Sequence, residues 1–169
     1  MVEIKLSDEG EIWVRSRSIF RGYYKDPEKY AQAVDADGWF HTGDIGVLRD
    51  GALEILGRRT EMFKTGGENV FPAEIEQVLE AHPAVLAAAV VAVPDPVFGE
   101  VAHAFVVPVP GRGLSADALQ AHCAGRLAPF KIPRRFYLEE RLPLLSSGKV
   151  DRAALRIRNN PTAGQEPAS

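Results

Sequence analysis

Lys149 is the first residue whose surroundings could support chemistry, because it follows Gly148 in a polar loop that leads into a predicted helix. An ammonium group on such a loop can reach a phosphate as a compact point charge. The loop is not a Walker phosphate-binding loop, since the first glycine and the strand of that motif are missing. By itself the pattern favours a surface lysine, with a catalytic lysine as the alternative.

An acidic and a basic residue form a second candidate site. Asp44 follows Gly43 after a predicted strand, and one ionised carboxylate there can accept hydrogen bonds from both hydroxyls of a ribose. Arg58 and Arg59 are adjacent and could bind a phosphate. Asp44 could instead cap a turn, and the arginines could belong to an ordinary basic loop, so both interpretations stay open.

Two consecutive glycines, Gly66 and Gly67, form the third candidate, just before Glu68 and a predicted helix. Glycines either let the backbone approach a ligand closely or adopt a positive φ. No metal site is predicted, because the single cysteine and the four histidines show no metal-ligand spacing. These residues, which we expect to have structural or surface roles, are Cys123, His41, His82, His103 and His122.

Apolar periodicity and turn residues predict the elements that would position these groups. Strands are predicted over residues 11–15, 85–93, 103–109 and 135–138, and a hairpin over 45–56 turns at Asp50 and Gly51. Helices are predicted over residues 72–80, 115–127 and 150–157, and a short helix is predicted to begin with Asp26 as N-cap. The mixture lacks βαβ repetition, which indicates an α+β fold. We expect a short β-rich N-terminal segment followed by a small domain whose mixed sheet is packed by helices.

Composition excludes several classes of protein. The chain has 169 residues, 46% of them hydrophobic, and a net charge of -3 without a basic face for nucleic acid. The longest apolar run, residues 84–93, is far shorter than the roughly 20 residues of a membrane-spanning helix. The single cysteine cannot form an internal disulfide, and the N-terminal residues show no apolar signal region. We therefore expect a cytoplasmic location.

The predicted strands of residues 1–57 are short and not covered by a helix, so we interpret them as the C-terminal end of a larger domain. The alternative is a small β subdomain that closes on the rest. Residues 58–60 are predicted as a hinge and residues 61–157 as a small domain. Residues 158–169 are polar and contain prolines, which predicts a disordered tail.

Taken together and in order, the motifs resemble the C-terminal third of the AMP-forming acyl-CoA synthetases, relatives of luciferase and of peptide-synthetase adenylation domains. The resemblance covers residues 9–156. Its segments are residues 10–14, 22–24, 42–44, 57–58, 66–76, 93–95, 99–100 and 142–152. It implies a two-step ligase: a carboxylic or fatty acid and ATP give an acyl-adenylate and pyrophosphate, and CoA then gives the thioester and AMP.

The resemblance also implies a role for each candidate residue. Asp44 would hold the ribose hydroxyls and Arg58 the ribose and phosphate, and Lys149 would serve the adenylation step. A rotation of the small domain would then bring Gly66, Gly67 and Glu68 into the channel for CoA. Thr60 occupies the hinge position, where the family usually has Asp or Lys, so the β-branched residue departs from the pattern.

Further expectations follow from the same resemblance. ATP, AMP and CoA would be substrates rather than bound cofactors, and Mg²⁺ would bind mainly outside this chain. The partner is an N-terminal AMP-binding domain that holds the acid, without which we expect the chain to be inactive. Lys149 resembles a site of lysine acetyltransferases. The alternatives are an adenylation domain that loads a carrier protein and a non-catalytic interaction module; residues 66–72 favour CoA as acceptor.

Overall fold

A computed structural model describes residues 2–158 and divides the chain into two compact units, residues 1–61 and 62–169. The predicted tail lies outside the described residues, except for Arg158, which ends the last helix. Within the described part, no helix has the length and apolar character needed to cross a membrane. The assignment of the first unit to a larger domain, and of residues 58–60 to a hinge, stays a prediction.

The first unit is an antiparallel four-stranded sheet in chain order: β1 (Val2–Leu6), β2 (Glu11–Ser16), β3 (Phe40–Arg49) and β4 (Ala52–Arg58). A two-residue turn of Asp50 and Gly51 joins β3 to β4, as predicted, and both residues have positive φ, 51° and 79°. Such turns match the twist of the flanking strands. Helix α1 (Pro27–Ala33) precedes β3, and Asp26 is its N-cap, accepting a hydrogen bond from the N–H of Lys29 over 3.0 Å.

The second unit contains a mixed five-stranded sheet, which confirms the predicted α+β fold. Its strands are β5 (Phe63–Thr65), β6 (Glu68–Val70), β7 (Val85–Asp95), β8 (Gly99–Pro108) and β9 (Arg135–Leu138). The order is β6-β5-β8-β7, all antiparallel, and β9 pairs with β8 in parallel. The β5–β6 hairpin was not predicted, because strands of three residues are too short to show alternation.

Helices cover both faces of the long β7–β8 hairpin. Helices α2 (Pro72–Glu80) and α3 (Ala116–Cys123) pack on one face, and helix α4 (Arg152–Arg158) packs on the other through Leu155. Alternate residues of β7 join the two cores: Ala88, Val90 and Ala92 in one, Ala89, Val91 and Val93 in the other. A strand buried on both faces reads as a continuous apolar run. This explains the long apolar segment of the sequence.

The predicted helix over residues 115–127 is too long at its C-terminal end. Ser115 is the N-cap, as predicted, and its hydroxyl accepts a hydrogen bond from the N–H of Ala118 over 3.2 Å. The helix ends at Cys123, four residues before the predicted end. Gly125 has a φ of 84°, a left-handed conformation that interrupts a right-handed helix. The backbone already leaves the helix at Ala124, which is extended with φ -61° and ψ 126°, well before the later proline.

Candidate functional site

Asp44 and Arg58, predicted separately, are cross-strand partners in the β3–β4 hairpin. The guanidinium Nε of Arg58 lies 2.9 Å from Oδ1 of Asp44, and its Nη1 donates to the carbonyl oxygen of Thr42 over 2.9 Å. Both side chains reach solvent, with 27% of Asp44 and 57% of Arg58 exposed. Because an ionised carboxylate can accept several hydrogen bonds, Asp44 keeps capacity for a ligand hydroxyl. Arg58 likewise keeps donors for a phosphate.

The backbone before Asp44 is held by two side chains from β2 and β3. Glu11, which is only 5% exposed, accepts the N–H of Gly43 over 2.9 Å. The hydroxyl of Thr42 donates to the carbonyl oxygen of Ile12 over 2.7 Å and accepts the N–H of Asp44 over 3.1 Å. The register of β3 and β4 shifts shortly after Asp44, between Ile45 and Gly46. These contacts hold the backbone that carries Asp44.

The two glycines of the predicted CoA channel form the turn of the β5–β6 hairpin. Gly66 has a φ of 59° and Gly67 a φ of 91°, while Thr65 and Glu68 are paired on either side. Two positive φ values at the centre of a two-residue loop define a type I′ turn, for which glycine is favoured. The structure thus accounts for the glycines by their positive φ. The turn and the exposed side chain of Glu68 are accessible to solvent.

Gly67→Ala is expected to destabilise the second unit by about 1–2 kcal/mol, the cost of a left-handed conformation for a residue with a Cβ. A Cβ at Gly67 would meet no atom within 4 Å, so the loss would come from the backbone alone. Urea unfolding of the two variants would measure it. Gly113→Ala is the matched control, because that glycine is equally open but lacks the positive φ. Equal stability of both variants would contradict the conclusion that position 67 needs glycine for its positive φ.

A groove beside the glycine turn was missed by the sequence analysis. The N–H of Gly66 donates to the carbonyl oxygen of Phe98 over 2.9 Å, and Phe98 lines a cavity of about 550 Å³ with Phe130 and Arg134. The guanidinium carbon of Arg134 lies 4.7 Å from the ring centroid of Phe98, which is a cation–π arrangement. Phe98 lies between β7 and β8, whereas Phe130 and Arg134 lie between α3 and β9, so no common sequence signal links them. The groove combines aromatic faces with a positive charge.

Lys149 lies on a braced loop between residues 143 and 151. The N–H of Leu145 donates to the carbonyl oxygen of Lys149 over 2.8 Å, and the N–H of Gly148 donates to that of Leu145 over 2.9 Å. A bridge between Leu144 and Val150 closes the loop. The Lys149 side chain is exposed, and within residues 2–158 no ion pair or hydrogen bond of its ammonium group is found. The loop therefore presents a cation that has no partner among residues 2–158, and its backbone is held by hydrogen bonds.

The remaining candidate residues have less to offer chemically. Thr60 is exposed in a single 3-10 turn, Arg59–Glu61, at the end of the first unit. Burial raises the pKa of the Cys123 thiol to about 11, which makes it a poor nucleophile. Burial and the neighbouring Arg135 lower the pKa of His103. Among the described residues, no group of three or more His, Cys, Asp or Glu side chains could hold a metal ion.

Comparison with known proteins shows what this chain is similar to. Residues 74–149 match the family model described as the AMP-binding enzyme C-terminal domain. A feruloyl-CoA synthase of Amycolatopsis is 41% identical over 89% of this chain, and a 2-succinylbenzoate–CoA ligase of Geobacillus kaustophilus is 43% identical over 88%. The resemblance to the C-terminal portion of AMP-forming acyl-CoA synthetases is confirmed.

Solved structures contain the same arrangement of elements. The chain matches o-succinylbenzoate CoA synthetase of Bacillus subtilis, bound to its acyl-adenylate intermediate, with a TM-score of 0.82 and 37% identity. The match covers 92% of this chain and 34% of that one. The chain likewise spans 31% and 30% of the length of the two curated ligases named above. The relatives are thus CoA ligases about three times as long.

Proposed function

We propose that the chain acts as the C-terminal part of an ATP-dependent acyl-CoA synthetase. The reaction joins a carboxylic acid to CoA and converts ATP to AMP and pyrophosphate. The observation that carries the proposal is the exposed ammonium group of Lys149, presented by a hydrogen-bonded loop at the end of the matched family segment. An AMP-binding domain would supply the pocket for the acid.

Lys149 has a defined electrostatic task in the first half-reaction. A carboxylate oxygen of the acid attacks the α-phosphorus of ATP, and the bond from that phosphorus to the leaving pyrophosphate breaks. Two anions approach each other in this step, so a cation that contacts both stabilises the transition state. Asp44 and Arg58 would hold the ribose and phosphate of the same nucleotide. Mg²⁺ would bind mainly outside this chain, and no step here depends on it.

CoA is the proposed acceptor in the second half-reaction. Its thiolate forms a bond to the acyl carbon of the adenylate, and the bond from that carbon to the phosphate oxygen breaks, releasing AMP. The groove of Phe98, Phe130 and Arg134 supports this acceptor, because aromatic faces and a cation suit the adenine and phosphates of CoA. Transfer to a carrier protein is the alternative. Thioester formation with free CoA, compared with a carrier protein, distinguishes them.

The proposal is tested by the exchange of labelled pyrophosphate into ATP with a panel of acids. The protein in which this chain follows an AMP-binding domain is expected to catalyse the exchange, and this chain alone is expected to be inactive. The physical reason is that the chain spans only about 30% of the length of its relatives, and the acid is proposed to bind in the AMP-binding domain. Robust exchange by the chain alone, or none by the joined protein with any acid, would contradict the proposal.

Asp44→Asn is expected to raise the KM for ATP by about 10–100-fold, because hydrogen bonds to a charged group contribute about 1.5–3 kcal/mol and each 1.4 kcal/mol is about tenfold. Initial rates of adenylation at varied ATP would measure it. Asp50→Asn makes the same chemical change at the other end of the hairpin, where asparagine tolerates the φ of 51°. This control should stay within about twofold of the parent. Equal effects of both variants would refute the role of Asp44.

Acetylation of Lys149 by an acetyltransferase also stays part of the proposal. Residues 144–149 are exposed, so a modifying enzyme could reach the ammonium group. Acetylation removes the charge that the adenylation step needs. Incubation with an acetyltransferase and acetyl-CoA, followed by mass spectrometry of the loop peptide, would reveal it. An unmodified Lys149 beside other acetylated lysines would exclude this regulation.

A further inference from the structure

A mostly buried ion pair joins α4 to α2 at the residue where α4 begins. The guanidinium Nη2 of Arg152 lies 3.1 Å from Oε2 of Glu76, and the two side chains are 21% and 14% exposed. The other carboxylate oxygen, Oε1, accepts the backbone N–H of Val90 over 2.7 Å. One carboxylate therefore connects α2, β7 and α4. Its position in the middle of three elements suggests more than a surface contact.

Glu76 also completes the edge of the sheet. Within the described residues β7 pairs only with β8, so the N–H groups on its other side need acceptors. Glu80, one helical turn after Glu76, accepts the N–H of Ala88 over 3.2 Å in the same way. A glutamine at position 76 could still accept the hydrogen bond of Val90. It could not balance the charge of Arg152, so this substitution removes the ion pair and keeps an acceptor for the N–H of Val90.

Arg152 acts close to the loop that carries Lys149. Three residues of extended chain span at most about 11 Å, so the side-chain anchor at Arg152 limits how far Lys149 can shift. Asp151, between them, donates its N–H to the carbonyl oxygen of Pro143 over 2.8 Å and caps α4 through a 3.0 Å hydrogen bond from Ala154. The start of α4 therefore fixes both ends of the loop of residues 143–151.

We propose that Glu76 is a positioning residue for Lys149, acting through Arg152. The carboxylate holds the first residue of α4 against α2 and β7, and this fixed residue limits the movement of the adjoining loop. Without the negative charge, the mostly buried guanidinium of Arg152 lacks this compensation and is drawn toward water. A displacement of about 1 Å at a reacting group can cost about 10²-fold in rate. The catalytic consequence, unlike the bracing of the loop, rests on the proposed function of Lys149.

The chain contains a matched control on the same helix. Glu74 forms an ion pair with Lys131, with Oε2 and Nζ 2.7 Å apart and side chains 31% and 21% exposed. Lys131 belongs to the short turn before β9, not to α4 or the loop of residues 143–151. Glu74→Gln therefore removes an ion pair of similar burial from the same helix without touching the anchor of α4. Comparing Glu76→Gln with Glu74→Gln therefore separates the effect on the loop from a general loss of stability.

The bracing is tested on this chain by amide hydrogen exchange measured by NMR. The relevant amides are the loop donors of Leu145, Gly148 and Asp151. Glu76→Gln is expected to speed their exchange by at least about tenfold, and Glu74→Gln by less than about twofold, with β8 amides as the internal reference for global opening. Loop amides that remain as protected in Glu76→Gln as in Glu74→Gln would overturn the proposal, whatever reaction the protein catalyses.

The catalytic consequence is tested in the protein that also contains the AMP-binding domain. Glu76→Gln is expected to lower kcat of pyrophosphate exchange about 10–100-fold with the KM for ATP within about twofold. Its rate of thioester formation from a supplied acyl-adenylate should stay within about twofold, because that step does not use Lys149. Equal losses in both half-reactions, or a loss no larger than in Glu74→Gln, would overturn the positioning role.

Lys149→Ala in the same assays separates the two proposals. If it abolishes exchange while Glu76→Gln does not, the positioning role is wrong and the proposed function stands. If Lys149→Ala leaves exchange unchanged, the proposed role of Lys149 is wrong, and the positioning of Lys149 for that step is overturned with it. The hydrogen-exchange result then still decides whether Glu76 braces the loop.

Discussion

Lys149→Ala is expected to lower the rate of acyl-adenylate formation by about 10²–10³-fold, the usual cost of removing one group that stabilises developing charge. The loss should fall on kcat of pyrophosphate exchange, measured in the protein that also contains an AMP-binding domain. Thioester formation from a supplied acyl-adenylate should change little, because no phosphate is then being attacked. This split between half-reactions is what distinguishes a catalytic lysine from a structural one.

The physical basis is that Lys149 combines a hydrogen-bonded backbone with an exposed side chain. Its carbonyl oxygen is held by the N–H of Leu145, whereas its ammonium group projects into solvent. Arg156→Ala is a suitable control, because it removes one exposed positive charge from α4, seven residues further along the chain. That variant should keep both half-reactions within about twofold. A Lys149→Ala protein with unimpaired exchange would remove the main support for the proposed function.

Local signals in the sequence predicted the elements that depend on neighbouring residues. The Asp50–Gly51 turn and the N-caps Asp26 and Ser115 each act within a few residues, and the structure confirms them. The β5–β6 hairpin was missed because its strands contain three residues each and gain stability from pairing with β8. Tertiary context, rather than propensity, decides such short strands.

In the candidate site too, the sequence indicates individual residues but not the contacts between them. Asp44 and Arg58 could be proposed one by one, but their ion pair depends on the register of β3 and β4, which shifts after Ile45. The contact of Glu76 with Arg152 spans 76 residues and has no local signature. The groove of Phe98 and its neighbours also arises only in the folded chain. Spacing in a sequence can suggest a residue's chemistry, whereas its partners depend on the fold.

Phe105→Ala is expected to lower the free energy of unfolding of the second unit by about 3–5 kcal/mol, because it leaves a cavity the surrounding side chains cannot fill. Phe105 is 1% exposed and stacks on Tyr137 with ring centroids 4.9 Å apart. It belongs to the same buried cluster as Leu155, the residue that anchors α4. The cavity would therefore open beneath the helix that follows Lys149.

Hydrogen exchange of β7 and β8 under native conditions would measure this loss, since the most protected amides of a folded unit report its global opening. Phe130→Ala provides the control, because its ring is 37% exposed and its removal should cost about 1 kcal/mol or less. A loss of several kcal/mol is a large part of the roughly 5–15 kcal/mol that stabilises a typical domain. If Phe105→Ala were no more destabilising than Phe130→Ala, α4 could not depend on this cluster. The helix that follows the Lys149 loop would then depend more on its ion pairs, that of Arg152 with Glu76 and that of Arg158 with Glu139.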